Sequence, residues 1–149
     1  MLTAKAKYGL KAMAHLAALP PGKSALIADI ATEHGIPKKF LDAILNELRQ
    51  AGLLTSKTGR GGGYMLKKRA DDIIVGDIIR ILDGPLAAVP CVSRNFYARC
   101  QDCRTEEDCK IRLLMLEARE ALAQVLDRRT LAELEALGRN PMDDFVYTI

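Results

Sequence analysis

Four cysteines are gathered in one short polar stretch of the chain. Cys91, Cys100, Cys103 and Cys109 lie within nineteen residues in the spacing C-x8-C-x2-C-x5-C, and the rest of the 149-residue sequence has none. The stretch contains too few apolar residues to bury its own backbone. We therefore expect a bound metal or cluster to order it.

Three kinds of chemistry suit these thiols, and the residues alone leave all three open. Thiolates hold iron–sulfur clusters. Four thiolates that include a C-x2-C pair also fit a tetrahedral structural zinc site. The third is a metal-free thiol switch, since the nearby Arg94, Arg99 and Arg104 favour the reactive thiolate, although acidic residues between Cys103 and Cys109 oppose them.

Length and composition predict a small protein of the cytoplasm. With 149 residues and 49% hydrophobic content, the chain suits one compact domain, or a small domain with an appended arm. No stretch approaches the roughly 20 consecutive apolar residues that cross a bilayer, and the first residues lack a signal-peptide pattern. Reduced cytoplasmic thiols more often bind metal or sense redox state than form structural disulfides.

The net charge of +3 is unevenly divided. Residues 1–70 carry twelve Lys and Arg against four Asp and Glu, whereas residues 71–149 carry ten against fifteen. A basic first half favours binding to nucleic acid, because contacts of Lys and Arg with phosphates supply most sequence-independent affinity. A solvated basic surface is the alternative.

Helical periodicity predicts three helices in this basic half. Residues 3–19 form the first, Ser24 is the expected N-cap of the second at 25–34, and Gly35 is its left-handed C-cap. Pro37 is expected at the first position of the third helix. Its apolar stripe is Phe40, Leu41, Ile44, Leu45 and Leu48. Two short helices joined by a tight glycine turn indicate a helix-turn-helix, whose second helix normally lies in the major groove.

A glycine-rich hairpin follows. Residues 53–57 and 64–67 are predicted strands, separated by Thr58-Gly59-Arg60-Gly61-Gly62-Gly63. The glycines let the loop backbone approach another molecule closely, and Arg60 suits the negative potential of a narrow minor groove. A phosphate-binding loop is excluded, because no G-K-[ST] ending is present and a strand follows.

The second half is predicted to be helical around the cysteines. Residues 75–82 form a helix that packs on the DNA-binding module, and Thr130 with Glu133 has capping-box spacing for a short helix that ends at Gly138. Between them lies a dimerisation helix, for which a core helix in a monomer is the alternative. Its apolar stripe is Ile111, Leu114, Met115, Ala118, Leu122, Val125 and Leu126. The tail after Gly138 shows no pattern.

The chain resembles winged-helix regulators that include the iron–sulfur cluster assembly regulator, the nitric-oxide-sensing repressor, the rhizobial iron regulator and a cysteine-metabolism repressor. The resemblance covers residues 1 to about 136. It rests on Leu2-Thr3 with Lys7-Tyr8, the wing Gly59 to Tyr64, Val75-Gly76-Asp77-Ile78-Ile79, the cysteine loop and Arg129-Thr130-Leu131-Ala132-Glu133-Leu134. It implies a mainly α fold with a small two-stranded β-wing, and a homodimer that binds palindromic operators. The expected units are a winged helix-turn-helix at 1–83, a cofactor loop at 84–109, a dimerisation region at 110–137 and a tail at 138–149.

The resemblance implies which residues contact DNA. Base-edge contacts fall on the early turns of the third helix, which carry Lys38, Lys39 and Asp42. Arg60 takes the minor-groove role, and the DNA-facing set is completed by Gly61, Gly62 and Ser24. Contacts of the two lysines with phosphate or solvent alone are the alternative, as is a solvated charge for Asp42.

The resemblance also implies a ligand set for an iron–sulfur cluster. It assigns Cys91, Cys103 and Cys109, and leaves Cys100 as an extra thiol. The family's fourth-ligand positions hold Arg112 and Lys7, which cannot serve, so Cys100 is the candidate for completing a four-cysteine site of either the 2Fe–2S or the 4Fe–4S type. His15 is kept as a distant fallback ligand.

The function expected from the sequence is a transcription regulator, a repressor, whose operator affinity is set by an iron–sulfur cluster or redox state at the four cysteines. A zinc-stabilised or thiol-switch winged-helix regulator is the alternative. A small iron–sulfur electron-transfer protein is the second alternative, against which the wing and the basic first half stand. No catalytic constellation accompanies the motifs, so an enzyme is not expected.

Overall fold

The structure, a computed structural model, describes residues 2–139. In this part of the chain six α-helices surround one two-stranded sheet, which confirms the mainly α winged-helix class. In chain order the elements are α1 (Ala4–Ala17), α2 (Ile27–His34), α3 (Lys38–Gln50), β1 (Leu54–Lys57), β2 (Gly63–Leu66), α4 (Val75–Asp83), α5 (Lys110–Leu126) and α6 (Leu131–Ala136). Short 3-10 turns lie at Ala70–Asp72 and Pro90–Val92. Of the predicted tail, residues 140–149 lie outside the described residues.

Helix α1 is the central element of the core. Its N-cap is Thr3, whose hydroxyl accepts a hydrogen bond from the backbone N–H of Ala6 at 3.2 Å. The backbone N–H of Thr3 donates to a carboxylate oxygen of Asp83 at 3.1 Å, which joins the start of α1 to the end of α4. Gly9 lets the two helices approach closely, because a Cβ there would lie 2.1 Å from Leu82 Cδ1.

The helix-turn-helix is formed by α2 and α3. Gly35 has φ 63° and ψ 37°, which confirms the predicted left-handed C-cap. Pro37 is the N-cap of α3 and not its first helical residue, so that prediction was one position out. The apolar face of α3 is buried at four positions, Leu41, Ile44, Leu45 and Leu48, each with 0% of its surface exposed.

The prediction that Ser24 caps α2 was wrong. Helix α2 begins at Ile27 with Leu26 at the N-cap, and no side chain caps it. Ala25 is held in an extended bridge with Tyr64, through two backbone hydrogen bonds of 2.9 and 2.8 Å. A helix cannot start at a residue whose backbone pairs with a strand, so the first turn is displaced along the chain.

The wing consists of β1 and β2, which pair antiparallel from Leu54 opposite Leu66 to Lys57 opposite Gly63. Residues beyond the wing return to the core through α4. The start of α4 is closed by a bridge between Ile74 and Thr130, and Thr130 forms the predicted capping box with Glu133. The hydrophobic core thus joins α1 to α4 with α6, whereas α5 contains no buried residue.

Candidate nucleic-acid interface and cysteine site

The first turns of α3 present polar side chains to solvent. Lys38, Lys39 and Asp42 are all exposed, opposite the buried face of the same helix. Phe40 is 38% exposed and packs edge-on against Tyr8, with ring centroids 5.7 Å apart. The amphipathic pattern of α3 therefore fixes which side remains free, and its free side carries the three residues predicted from the sequence.

The wing loop carries Arg60 at its exposed tip. Gly59 and Gly61 have φ of 86° and 70°, a backbone region that side chains rarely adopt. Gly62 is required for another reason, because a Cβ there would lie 2.5 Å from the carbonyl oxygen of Lys57. The loop is thus a tight backbone turn that presents one long cationic side chain.

Ser24 fastens this loop to the rest of the domain. Its hydroxyl donates to the carbonyl oxygen of Gly61 at 2.7 Å. The sequence placed Ser24 in the right region but gave it the wrong partner, because a hydrogen bond across 37 residues leaves no periodic signal. Ser24 directly precedes Ala25, which pairs with Tyr64, and its hydroxyl stabilises the conformation of the wing loop.

The four thiols of the cysteine loop are arranged as two pairs. Cys91 is buried on the 3-10 turn, and its sulfur lies 4.0 Å from that of Cys100. The thiol of Cys103 donates to the carbonyl oxygen of Thr105 at 3.4 Å, and Cys109 is near enough to raise its pKa. Within residues 2–139, no three of these sulfurs fall within 4.8 Å of one another. All four cysteines are free thiols.

The pairing raises the proton affinity of two thiols. The pKa of Cys100 is raised by its hydrogen bond with Cys91 and by burial. The pKa of Cys103 is raised by burial and by the neighbouring Cys109. Thiols that hold their protons are poor nucleophiles, whereas a bound cation removes those protons and relieves the repulsion between thiolates. The donor set therefore fits a thiolate-ligated metal or cluster, in which the cation takes the place of these protons.

Cys100, the candidate from the sequence for completing a four-cysteine site, lies beside Cys91. Its sulfur is 4.0 Å from that of the buried Cys91. The spacing of the cysteines does not indicate which of them are neighbours, because that depends on how the eight intervening residues fold back. Cys100 is therefore placed to act as a ligand together with Cys91.

Arginines of α5 and of the loop anchor the turn that carries Cys91. Arg119 donates to the carbonyl oxygen of Val92 and to Glu120, and Arg94 contacts Glu120 at 2.9 Å. The sequence does not indicate this role for Arg119, because Arg119 lies 27 residues from its partner Val92. The cysteine site is therefore fixed to α5 through polar contacts.

A second polar contact fixes α5 to α4. Arg80 donates two hydrogen bonds of 2.7 Å to the two carboxylate oxygens of Asp127. The hydrogen bond from Arg80 lowers the pKa of Asp127 despite partial burial. Gly76 makes room for this pair, because a Cβ there would lie 2.1 Å from Asp127 Oδ1.

Helix α5 exposes a set of large apolar side chains. Its exposed large side chains are Ile111, Leu113, Leu114, Leu122 and Val125, each 49 to 61% exposed. A core helix in a monomer would bury such a stripe, so that alternative is wrong for the chain as it folds here. None of the helices in the described part of the chain has the length and apolarity that a bilayer crossing requires.

Comparisons with known proteins agree with this architecture. Residues 2–136 match the family Rrf2, described as iron-dependent transcriptional regulator. An Rrf2-like HTH-type transcriptional regulator of Rhodobacter capsulatus is 43% identical over 144 residues, which is 95% of each chain.

Three solved structures of similar fold extend the comparison. The structure of CymR, the global cysteine regulator of B. subtilis, has a TM-score of 0.75 and 32% identity, and the match covers 91% of this chain and 96% of that one. The structure of T. potens IscR has a TM-score of 0.71 and 29% identity, with 90% and 85% covered. The oxidized form of Staphylococcus aureus CymR has a TM-score of 0.70 and 30% identity, with 91% and 95% covered. The chain, with its winged helix, the exposed polar face of α3 and the cysteine loop, belongs to the Rrf2 family of transcription regulators.

Proposed function

We propose that the protein is a homodimeric repressor whose affinity for a palindromic operator is set by an iron–sulfur cluster held by Cys91, Cys100, Cys103 and Cys109. The observation that carries the proposal is the two-pair arrangement of free thiols, on a loop fixed to α5. The family description names iron dependence, which agrees with a thiolate-ligated iron centre.

A bound cluster supplies an inorganic centre that responds to iron, oxidants or reductants. The chain's own residues do the rest. Cys91 offers a sulfur already fixed by the buried turn, and Cys100 offers a second one beside it. Cys103 and Cys109 close the set from the polar part of the loop, directly before α5.

A zinc-stabilised or thiol-switch regulator is the second candidate, and the separation of one thiol pair is compatible with zinc. Zinc–sulfur bonds of about 2.3 Å place the sulfurs of a tetrahedral site about 3.8 Å apart. The sulfurs of Cys91 and Cys100 lie 4.0 Å apart. The structure of Staphylococcus aureus CymR, to which this chain is similar, is of an oxidized form, and this agrees with a thiol switch.

The proposed DNA contacts divide by groove. Lys38, Lys39 and Asp42 face the major groove from the start of α3, where Asp42 can accept from a cytosine amino group. Arg60 enters the minor groove, with the backbone of Gly61 and Gly62 close to the duplex and Ser24 holding the loop.

A continuous set of contacts could link the two sites. The turn of Cys91 and Val92 is held by Arg119 on α5, and α5 is joined to α4 by Asp127 and Arg80. Helix α4 packs against α1 and α3 of the DNA-binding unit. If α5 pairs with α5 of a second copy, a change in the cysteine loop alters the distance between the α3 helices of the two copies. Couplings of this kind typically change affinity about 5- to 150-fold.

Anaerobic purification tests the cofactor. We expect visible absorbance together with iron and acid-labile sulfide in the wild-type chain, and loss of all three in Cys91→Ser. A colourless protein that retains zinc instead would support the second candidate. A colourless protein with neither iron, sulfide nor zinc after reconstitution would exclude both metal-bound forms.

Operator selection tests the DNA-binding half. Randomised duplexes enriched by the protein should yield a palindrome, and cluster-loaded and apo protein should bind it with different affinities. Arg60→Ala should weaken operator binding by about 1–3 kcal/mol, while the exposed α5 variant Lys110→Ala should not. Equal binding by both cofactor forms would disprove sensing but not DNA recognition.

A further inference from the structure

Two histidines and a glutamate converge where α1 meets α2. Nδ1 of His15 lies 3.1 Å from Nε2 of His34 and 3.2 Å from Oε2 of Glu33. All three ligand atoms lie within 4.8 Å of one another. Sequence analysis weighed the histidines singly, because 19 residues separate them. None of the three residues belongs to the cysteine loop.

The convergence presents lone pairs and not only hydrogen bonds. A metal binds histidine through a ring nitrogen that carries no proton, and Nε2 of His34 points toward Nδ1 of His15. When His15 carries its proton on Nε2, its Nδ1 also presents a lone pair toward the same point. Two imidazole nitrogens and a carboxylate oxygen then face one another.

The spacing of these atoms matches a tetrahedral ion. Metal–nitrogen bonds of about 2.0–2.1 Å place neighbouring ligand atoms about 3.3 Å apart. The two measured separations from His15 Nδ1, 3.1 and 3.2 Å, are close to that edge length. The third separation, between Nε2 of His34 and the carboxylate oxygen of Glu33, is within 4.8 Å.

The helix ends favour a cation at this place. His15 lies in the last turn of α1, and His34 is the last residue of α2. The C-terminal ends of helices carry partial negative charge, so both helices attract a cation. The exposed Lys11 is a nearby positive charge that opposes it. The side chain of Glu33 is 63% exposed, which gives an ion a path from solvent.

We propose that His15, Glu33 and His34 form a binding site for a divalent transition metal of the zinc class, separate from the cysteine loop. Two imidazoles and one carboxylate are a common ligand set for zinc, with a fourth position left to water. The ion connects α1 to α2, the helix that precedes the proposed DNA-recognition helix α3. Its binding stabilises the helix-turn-helix because the folded chain alone presents the complete set.

The test uses the full chain with all four cysteines changed to serine, so that the loop contributes no ligand. Far-ultraviolet circular dichroism first checks that this chain is folded. Titration with Zn²⁺ against a competing chelator should give one ion per chain and a higher melting temperature. Co²⁺ should give visible d–d bands without the thiolate-to-metal charge-transfer band that cysteine ligands produce.

Three single changes in the same background assign the ligands. His34→Gln should abolish the stoichiometric ion, and Glu33→Gln should weaken binding by at least about tenfold, since loss of supporting groups alone costs 10- to 100-fold. Asp29→Asn removes another exposed carboxylate of α2 and should leave affinity unchanged. Because Glu33 is exposed, its replacement does not threaten folding.

Two outcomes would overturn this site. One is a folded cysteine-free chain that binds no Zn²⁺ at micromolar concentration, and the other is binding that His34→Gln leaves intact. In the wild-type chain, His34→Gln should lower zinc content by one equivalent and leave iron, sulfide and visible absorbance unchanged. The fate of this proposal is therefore independent of the cluster proposed for the cysteines.

Discussion

The DNA-binding unit and the cysteine arm are held together by different forces. Residues 2–83 enclose fully buried apolar side chains such as Leu41, Ile44 and Leu45, each 0% exposed. Helix α5 contains no buried residue, and the loop before it is buried only around Cys91 to Ser93. Hydrophobic burial holds the first unit together, and Leu131 of α6 contributes to the same core. The cysteine loop and α5 are held instead by arginine contacts, such as that of Arg119 with Val92.

Removing a core side chain should have the largest effect on stability. Ile44→Ala leaves a cavity at a fully buried position of α3, so the free energy of unfolding should fall by about 2–5 kcal/mol. Urea denaturation at fixed protein concentration measures the loss. A loss below about 1 kcal/mol would mean that the unit is not close-packed there.

A polar change on α5 should act on assembly instead. Leu122 is 50% exposed in the single chain, so Leu122→Glu should leave the unfolding of the DNA-binding unit within about 0.5 kcal/mol of wild type. Burying that charge in a dimer should weaken association by at least about tenfold, or 1.4 kcal/mol. Sedimentation equilibrium distinguishes the two, with the exposed Glu117→Gln as control. An unchanged association constant would argue against α5 as the dimer contact.

Breaking the link between α4 and α5 should have a smaller effect. Asp127→Asn removes the charge paired with Arg80, and because the two side chains are 33% and 29% exposed, the loss should be about 1 kcal/mol. Asp77→Asn, at 3.3 Å on the exposed side of the same arginine, is the matched control.

The pair also predicts a pH dependence. The pKa of Asp127 lies below its ordinary 3.8 in the folded chain, so the stabilisation is complete above that pH and is lost as pH falls through the lowered value. The stability difference between wild type and Asp127→Asn should therefore shrink in acid. A difference that stayed constant to pH 2 would rule out an ionised pair.

The wing contact should have the smallest effect. Ser24→Ala removes the hydrogen bond to the carbonyl of Gly61, which should cost about 0.5–1 kcal/mol. Hydrogen exchange at the wing should rise while exchange in α3 stays unchanged. Ser56→Ala, an exposed residue of β1, serves as control. Equal hydrogen-exchange rates at the wing of the two variants would show that Ser24 does not stabilise the wing.

Local patterns predicted the elements well and the contacts between them poorly. Apolar periodicity, turn residues and the capping-box spacing together predicted the six helices and both strands to within a few residues, because these signals are local in the sequence. The partners of Ser24, Cys100, Arg119 and His34 were missed. Each contact joins residues distant in sequence whose meeting depends on the assembled core, and no periodicity records it.

The hydrogen bond between Thr3 and Asp83 has a practical consequence for handling the protein. It brings the first turn of the chain beside Gly84, where the backbone leaves α4 for the cysteine loop. An affinity tag or fluorescent fusion placed ahead of Leu2 therefore lies close to the start of the cysteine loop. A label meant to report cofactor state at that end of the chain would disturb the loop it reports on.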